Sequence, residues 1–200
     1  MLSLYDYQLA MLHVMRDSAP IEAAALLDSL GATRVETALA EQRLRRAPQQ
    51  RFDDYLAAWG APDSAAVEIL GVGTEWRKAW WGLSCWPGLR IELTSPVEWF
   101  VGRRLVRHGD CPPPVLETVA DLRPWSCTYD EFVDSGRWHV HYFDGMRSTR
   151  DIDAFVATDP ESGRTCTYWA RFDWSLLQSV ELAPAEYVWK PCRDCDGSGR

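Results

Sequence analysis

Apolar side chains recur every three or four positions up to about Pro62, and beyond it they alternate with polar ones. The first pattern predicts helices and the second predicts strands. Tyr5, Leu9 and Leu12 fall on one helical face with Met11 and Met15 beside them, and Ser3 with Asp6 has the form of a capping box, so a helix is expected over 4–16. Pro20 suits a first helical turn and Gly31 a left-handed stop; with Ala23, Leu26, Leu27 and Leu30 between them, a second helix is expected over 20–30. Thr33 and Glu36 cap a third, which ends before Pro48 and has Val35, Ala38 and Leu39 as its short apolar face. Phe52, Tyr55, Leu56 and Trp59 stand at i, i+3, i+4 and i+7 before Gly60 and Pro62, the signature of a fourth helix over 50–59.

Only Gly31, Ala32 and Thr33 separate the second and third helices, the short turn that a helix-turn-helix over 20–46 requires. The third helix is then the reading helix, with Arg34, Arg43, Arg45 and Arg46 as its phosphate or base contacts. Glu36 and Glu41 share that helix, however, and a small helical bundle with a solvated basic end is the plainer expectation.

In the second half, Leu89, Ile91 and Leu93 alternate with Arg90, Glu92 and Thr94, and Val97, Trp99 and Val101 continue the pattern after Pro96. Pro112, Pro113 and Pro114 mark an irregular crossing, and Thr128 with Glu131 caps a short helix that stops at Gly136. Segments 152–158 and 165–172 flank the turn-rich loop 159–163, the strongest hairpin in the chain, with 137–143 as a neighbouring strand. The fold class is therefore α+β: a helical unit over 1–62, a mainly antiparallel, Trp-rich sheet region with short helices on one face over 63–189, and a tail over 190–200.

Composition narrows the function. The 200 residues carry a formal charge of −8, spread along the chain: six Arg against eight Asp/Glu in 1–62, and fifteen basic against twenty-one acidic residues beyond. Neither part is a phosphate-binding surface by bulk charge, so duplex DNA is disfavoured as a partner. No stretch of roughly 20 apolar residues is present to span a bilayer, so no membrane partner is expected, and the cytoplasm is the expected location. Nineteen Arg against Lys78 and Lys190, with many Ala, suggest a bacterial or phage source. With two lysines there is no phosphate-binding GxxxxGK loop, and neither GxGxxG nor GxSxG occurs.

Three sets of residues are candidates for function. Trp76, Trp80, Trp81 and Trp86 crowd into twelve residues, where they either fill a core or anchor a partner protein. His139 and His141 alternate on a predicted strand beside Asp144, and Asp151 and Asp153 alternate on the next. If these strands pair, the two His and two or three carboxylates converge within metal-ligand reach, a set suited to a metal-dependent hydrolase or nuclease, and its alternative is a polar sheet face. Cys192 and Cys195 close the chain as Cys-x-x-Cys-x-Gly-x-Gly, which resembles one repeat of the zinc-binding module of J-domain co-chaperones over residues 192–199. That resemblance implies zinc only with two further ligands, from Cys85, Cys111, Cys127, Cys166, a His, or a second subunit in a homo-oligomer; the co-chaperones' His-Pro-Asp motif is absent, and an unliganded tail or a redox pair is the alternative. Taken together, the sequence points to a non-catalytic protein-binding or regulatory protein, such as an inhibitor, an immunity factor or an assembly component.

Overall fold

The helices form where their caps predict. α1 (Leu4–Met15) starts at Ser3, whose Oγ accepts from the Asp6 amide at 3.1 Å. α2 (Pro20–Leu30) ends on Gly31 at φ +61°, where the Ala32 amide reaches back to the Leu27 carbonyl at 3.0 Å. α3 (Arg34–Arg46) carries a full capping box, with the Thr33 amide donating to Glu36 Oε2 at 2.7 Å and the Glu36 amide to Thr33 Oγ1 at 3.2 Å. α4 (Phe52–Trp59) is followed by Gly60. The computed structural model describes residues 2–70, 73–97, 100–147, 149–184 and 187, with the side chains at 70, 97, 100 and 142–147 outside it. Trp99, Cys192 and Cys195 therefore lie outside the described residues.

The strands form two four-stranded antiparallel meanders. The first runs β1 (Ser64–Leu70), β2 (Thr74–Gly82), β3 (Leu89–Val97) and β4 (Phe100–Arg107), each paired with the next. The second follows α5 (Tyr129–Asp134) and runs β5 (Val140–Arg147), β6 (Arg150–Thr158), β7 (Thr165–Asp173) and β8 (Leu176–Leu182). The chain divides into two compact units, Met1–Pro112 and Pro113–Arg200, so α1 to α4 share a unit with the first sheet. The break falls in the run of prolines, which lack the N–H a ladder needs. Pro96 is tolerated inside β3 because the register with β4 shifts between Thr94 and Val97.

One face of the first sheet is the core face. Trp81 pairs with Ile91, Ile91 with Leu105, and Ala79 with Leu93; all five are buried. An edge-to-face series connects it to the helices: Tyr7 of α1 meets Trp59 of α4 at 5.0 Å between centroids, and Trp59 meets Trp81 at 5.3 Å. The Trp81 indole donates to the Gly60 carbonyl at 3.2 Å. Gln8 of α1 is buried and accepts from the Cys85 amide at 2.9 Å, fixing the loop after β2.

In the second unit α5 supplies Phe132, which stacks on Trp138 at 5.3 Å and meets Phe155 edge-on at 5.2 Å. Phe155, Tyr168, Ala170, Phe172 and Leu177 complete this core with Leu116, Leu122 and Cys127. Truncating a fully buried ring such as Phe132 to Ala costs about 3–5 kcal/mol in comparable cores. Among the described residues no helix is long and apolar enough to cross a membrane.

Candidate functional site

At 100° per residue, Thr37, Ala40 and Leu44 lie on one side of α3, and Val35, Leu39, Gln42 and Arg46 lie on the other. The first side packs on α1, where Leu9, Ala10 and Ala40 form a small core with Leu44 half-buried against it. Alanines at this contact bring the two backbones close and leave little volume for larger side chains. Thr37 Oγ donates to the Arg34 carbonyl at 2.8 Å, which lets a polar residue sit in the seam. His13 of α1 lies beside it, its Nδ1 facing Arg16 Nη1 at 3.1 Å; burial, and then that guanidinium, lower its pKa below the ordinary histidine value.

The apolar face expected to seat α3 is therefore the face it turns to water. Val35 is 67% exposed and Leu39 is 51% exposed, and with Ala38 they floor a groove of about 630 Å³ flanked by His13, Arg34 and Arg45. The reading failed because Val35, Ala38 and Leu39 are the more hydrophobic set, but the α1 contact selects for small residues and places Ala40 inward instead. Of the four arginines, Arg43 donates to Asp6 at 3.0 Å and Arg45 is bound to Glu41. Arg34 and Arg46, both exposed, have no ion pair among the described residues.

Trp76, Trp80 and Trp81 divide between the two faces of β2, and Trp86 lies in the segment that follows it. Trp81 and Trp86 are buried, whereas Trp76 and Trp80 are half-buried on the opposite face with Lys78. There the Trp80 indole donates to Glu92 Oε2 at 2.9 Å, Arg104 Nε donates to Glu92 Oε1 at 2.6 Å, and the Arg90 guanidinium lies 5.9 Å from the Trp80 ring centroid.

The histidines and aspartates of the second sheet are not brought together. His141 pairs with Ala154 and Asp153 pairs with Tyr142; since residues directly opposite share a face, His141 and Asp153 point to opposite sides of the sheet. His139 is exposed and precedes β5. Asp144 pairs with Ile152 after a register shift, and its side chain is outside the described residues. Asp151 and Asp153 do share a face, but it is the core face, opposite Phe172 and Ala170. Asp153 is wholly buried, and among the described residues neither carboxyl oxygen has a hydrogen-bond partner. Burial, and then the neighbouring Asp151, push its pKa up to about 7.

Among the described residues no group of three or more His, Cys, Asp or Glu is arranged to hold a metal. Among the described residues Cys85, Cys111, Cys127 and Cys166 form no disulfide, and burial pushes the Cys85 thiol up to about 11. The exposure of Val35 and Leu39 was not legible in the sequence, and nor was the edge strand β1, whose alternating Val67, Glu68 and Ile69 was the available signal. No protein-family model matches this chain, and no curated protein or solved structure is similar to it.

Proposed function

We propose that the protein acts by binding another protein, and that the solvent face of α3 receives an amphipathic helix with an acidic border. The observation that carries this reading is the inversion of α3, which buries Thr37 and Ala40 and exposes Val35 and Leu39 in a groove. Contiguous exposed apolar surface edged by polar residues is a usual mark of a docking site, and helix-in-groove binding uses anchors at the i, i+3 and i+4 spacing of Val35, Ala38 and Leu39. Arg34 and Arg46, at the two ends of α3 and without ion-pair partners among the described residues, supply the complementary charge. The same two arginines, with the short turn between α2 and α3, support duplex DNA as the second reading.

The test compares the full chain with a Val35→Glu/Leu39→Glu variant in pull-downs from host extract. A protein retained by the parent and lost from the variant is then reduced to its acidic helical segment as a synthetic peptide. That peptide is expected to bind the parent, to weaken with added salt, and to fail on the variant. A partner held equally by both chains overturns the reading. So does salt-sensitive binding to duplex DNA that is lost in Arg34→Ala/Arg46→Ala, which would establish the DNA reading in its place.

Zinc at Cys192 and Cys195 belongs to the same reading as a structural ion, supported by their spacing and flanking glycines. Metal analysis of the purified protein, with release of the metal in Cys192→Ser, tests it.

A further inference from the structure

β1 is an edge strand whose ladder partner among the described strands is β2. Natural edges are commonly guarded by lysine, proline or an inward-pointing charge, because an open row of N–H and C=O groups is a template for another strand. The opposite edge of the same sheet, β4, carries Arg103, Arg104 and Arg107. β1 reads Ser-Ala-Ala-Val-Glu-Ile-Leu, with no proline and one charge, and that charge is met within the sheet by Lys78 Nζ at 2.8 Å. Val67 and Ile69 share a face and are 62% and 70% exposed. Beside them Ala65, Val67, Phe52 and Leu56 line a groove of about 290 Å³ between the strand and α4.

We propose that β1 pairs antiparallel with β1 of a second copy of this chain, about a twofold axis through Val67, joining the two four-stranded sheets into one of eight strands. Two geometric conditions select this partner and this register. Directly opposed residues point to the same face, so a twofold axis normal to the sheet must pass through a residue and not between two. Centred on Val67, all seven residues of β1 find partners: Val67 meets its own equivalent, Ala65 meets Ile69, Ala66 meets Glu68 and Ser64 meets Leu70. Both Ile69 side chains then lie against alanine, and each Glu68 stands across from Ala66 while keeping its own Lys78. An axis at Glu68 would set two carboxylates face to face, and one at Ala66 would leave Ile69 and Leu70 without partners. The strand is thus self-complementary in a single register, as an isologous contact requires.

Sedimentation and light scattering of the full chain test this directly. The expected mass is twice that of the 22.8 kDa chain. Val67→Lys and Ile69→Lys, each at an exposed position and each checked for unchanged circular dichroism, are expected to give monomers. Val35→Lys on α3 is expected to remain dimeric, so loss of the dimer and loss of the α3 docking face are read separately. Val67→Cys is expected to form an interchain disulfide under mild oxidation that the parent, run alongside with its native cysteines, does not form. A parent that is monomeric at its highest soluble concentration overturns the proposal. A dimer that persists in both lysine variants overturns it as well.

Discussion

Glu92 on β3 and Asp153 on β6 are both carboxyls on interior strands of four-stranded antiparallel sheets, and neither is open to water. Their surroundings differ in one respect. Glu92 accepts from the Trp80 indole and the Arg104 guanidinium, so donors stand where water was removed. Asp153 lies opposite Ala170 and two strand positions from Phe155, without a donor among the described residues, and the charge that acts on it is another carboxyl, Asp151. Arg150, at the start of β6, is held by Asp173 through two bonds of 2.9 and 3.0 Å. Burial withdraws water from both carboxyls, and only at Glu92 do described donors stand in its place.

Four measurements test this contrast and the surroundings of α3. The largest effect is expected at Asp153. Its folded pKa of about 7 stands above the unfolded value, so its ionisation opposes folding: the cost is absent below about pH 4, grows as the pH rises to about 7, and is constant above. Roughly three pKa units correspond to about 4 kcal/mol at the upper limit. Denaturant titrations should therefore find Asp153→Asn more stable than the parent at pH 8 and equal to it near pH 4. Equal stability at both values would mean that Asp153 has a partner in solution. The exposed carboxylates Glu36 and Asp121 have the opposite sign: hydrogen bonds from Thr33 and Thr118 hold their pKa values low, so their contribution is lost as acid protonates them.

Next, Glu92→Ala strands the Trp80 indole on a half-buried surface and should cost about 2 kcal/mol, whereas Arg104→Ala, at a guanidinium that water already reaches, should cost less. The reverse order would show that leaving the buried Glu92 carboxylate without its guanidinium costs more than losing both of its bonds. Thr33→Ala, which opens the α3 capping box, is expected to cost about 1 kcal/mol. The smallest effect is expected from Val35→Ser with Leu39→Ser: each change should alter stability by less than about 0.5 kcal/mol, since both side chains already face water. A loss of several times that amount would mean these residues are covered in the folded protein, and the α3 docking face would be withdrawn.

Local punctuation was legible in the sequence. Ser3, Pro20, Thr33 and Thr128 open helices within a residue or two of where the chain shows them, and Gly31, Gly60 and Gly136 follow their ends at positive φ. The hairpin of β6 and β7 was legible for the same reason. Asp159 organises its loop by accepting from the Ser162 amide at 3.0 Å, and Gly163 takes φ +68°. β8 was not legible, because its turn uses Trp174 and Ser175 at φ +55° and +62° where glycine or asparagine would normally announce it. Contacts distant in sequence hold that turn: the Trp174 amide donates to the Thr149 carbonyl at 2.7 Å, and the Tyr129 amide to the Ser175 carbonyl at 2.8 Å. The candidate site was half legible. The arginines and the apolar triplet of α3 were visible, but the direction they face was not.

The α+β class, the helix limits and the strongest hairpin follow from the sequence alone, because caps, turns and periodicity act over four or five residues and carry their own hydrogen bonds. The tertiary structure decided how those elements face one another. α3 shows its more hydrophobic side to water because its Ala40 packs closely on Leu9 and Ala10 of α1. His141 and Asp153 part company because the pairing of β5 with β6 sets Ala154, and not Asp153, opposite the histidine. A side chain's face depends on register and on the neighbouring element, and a shift of one residue reverses it; no pattern within a single strand or helix holds that information.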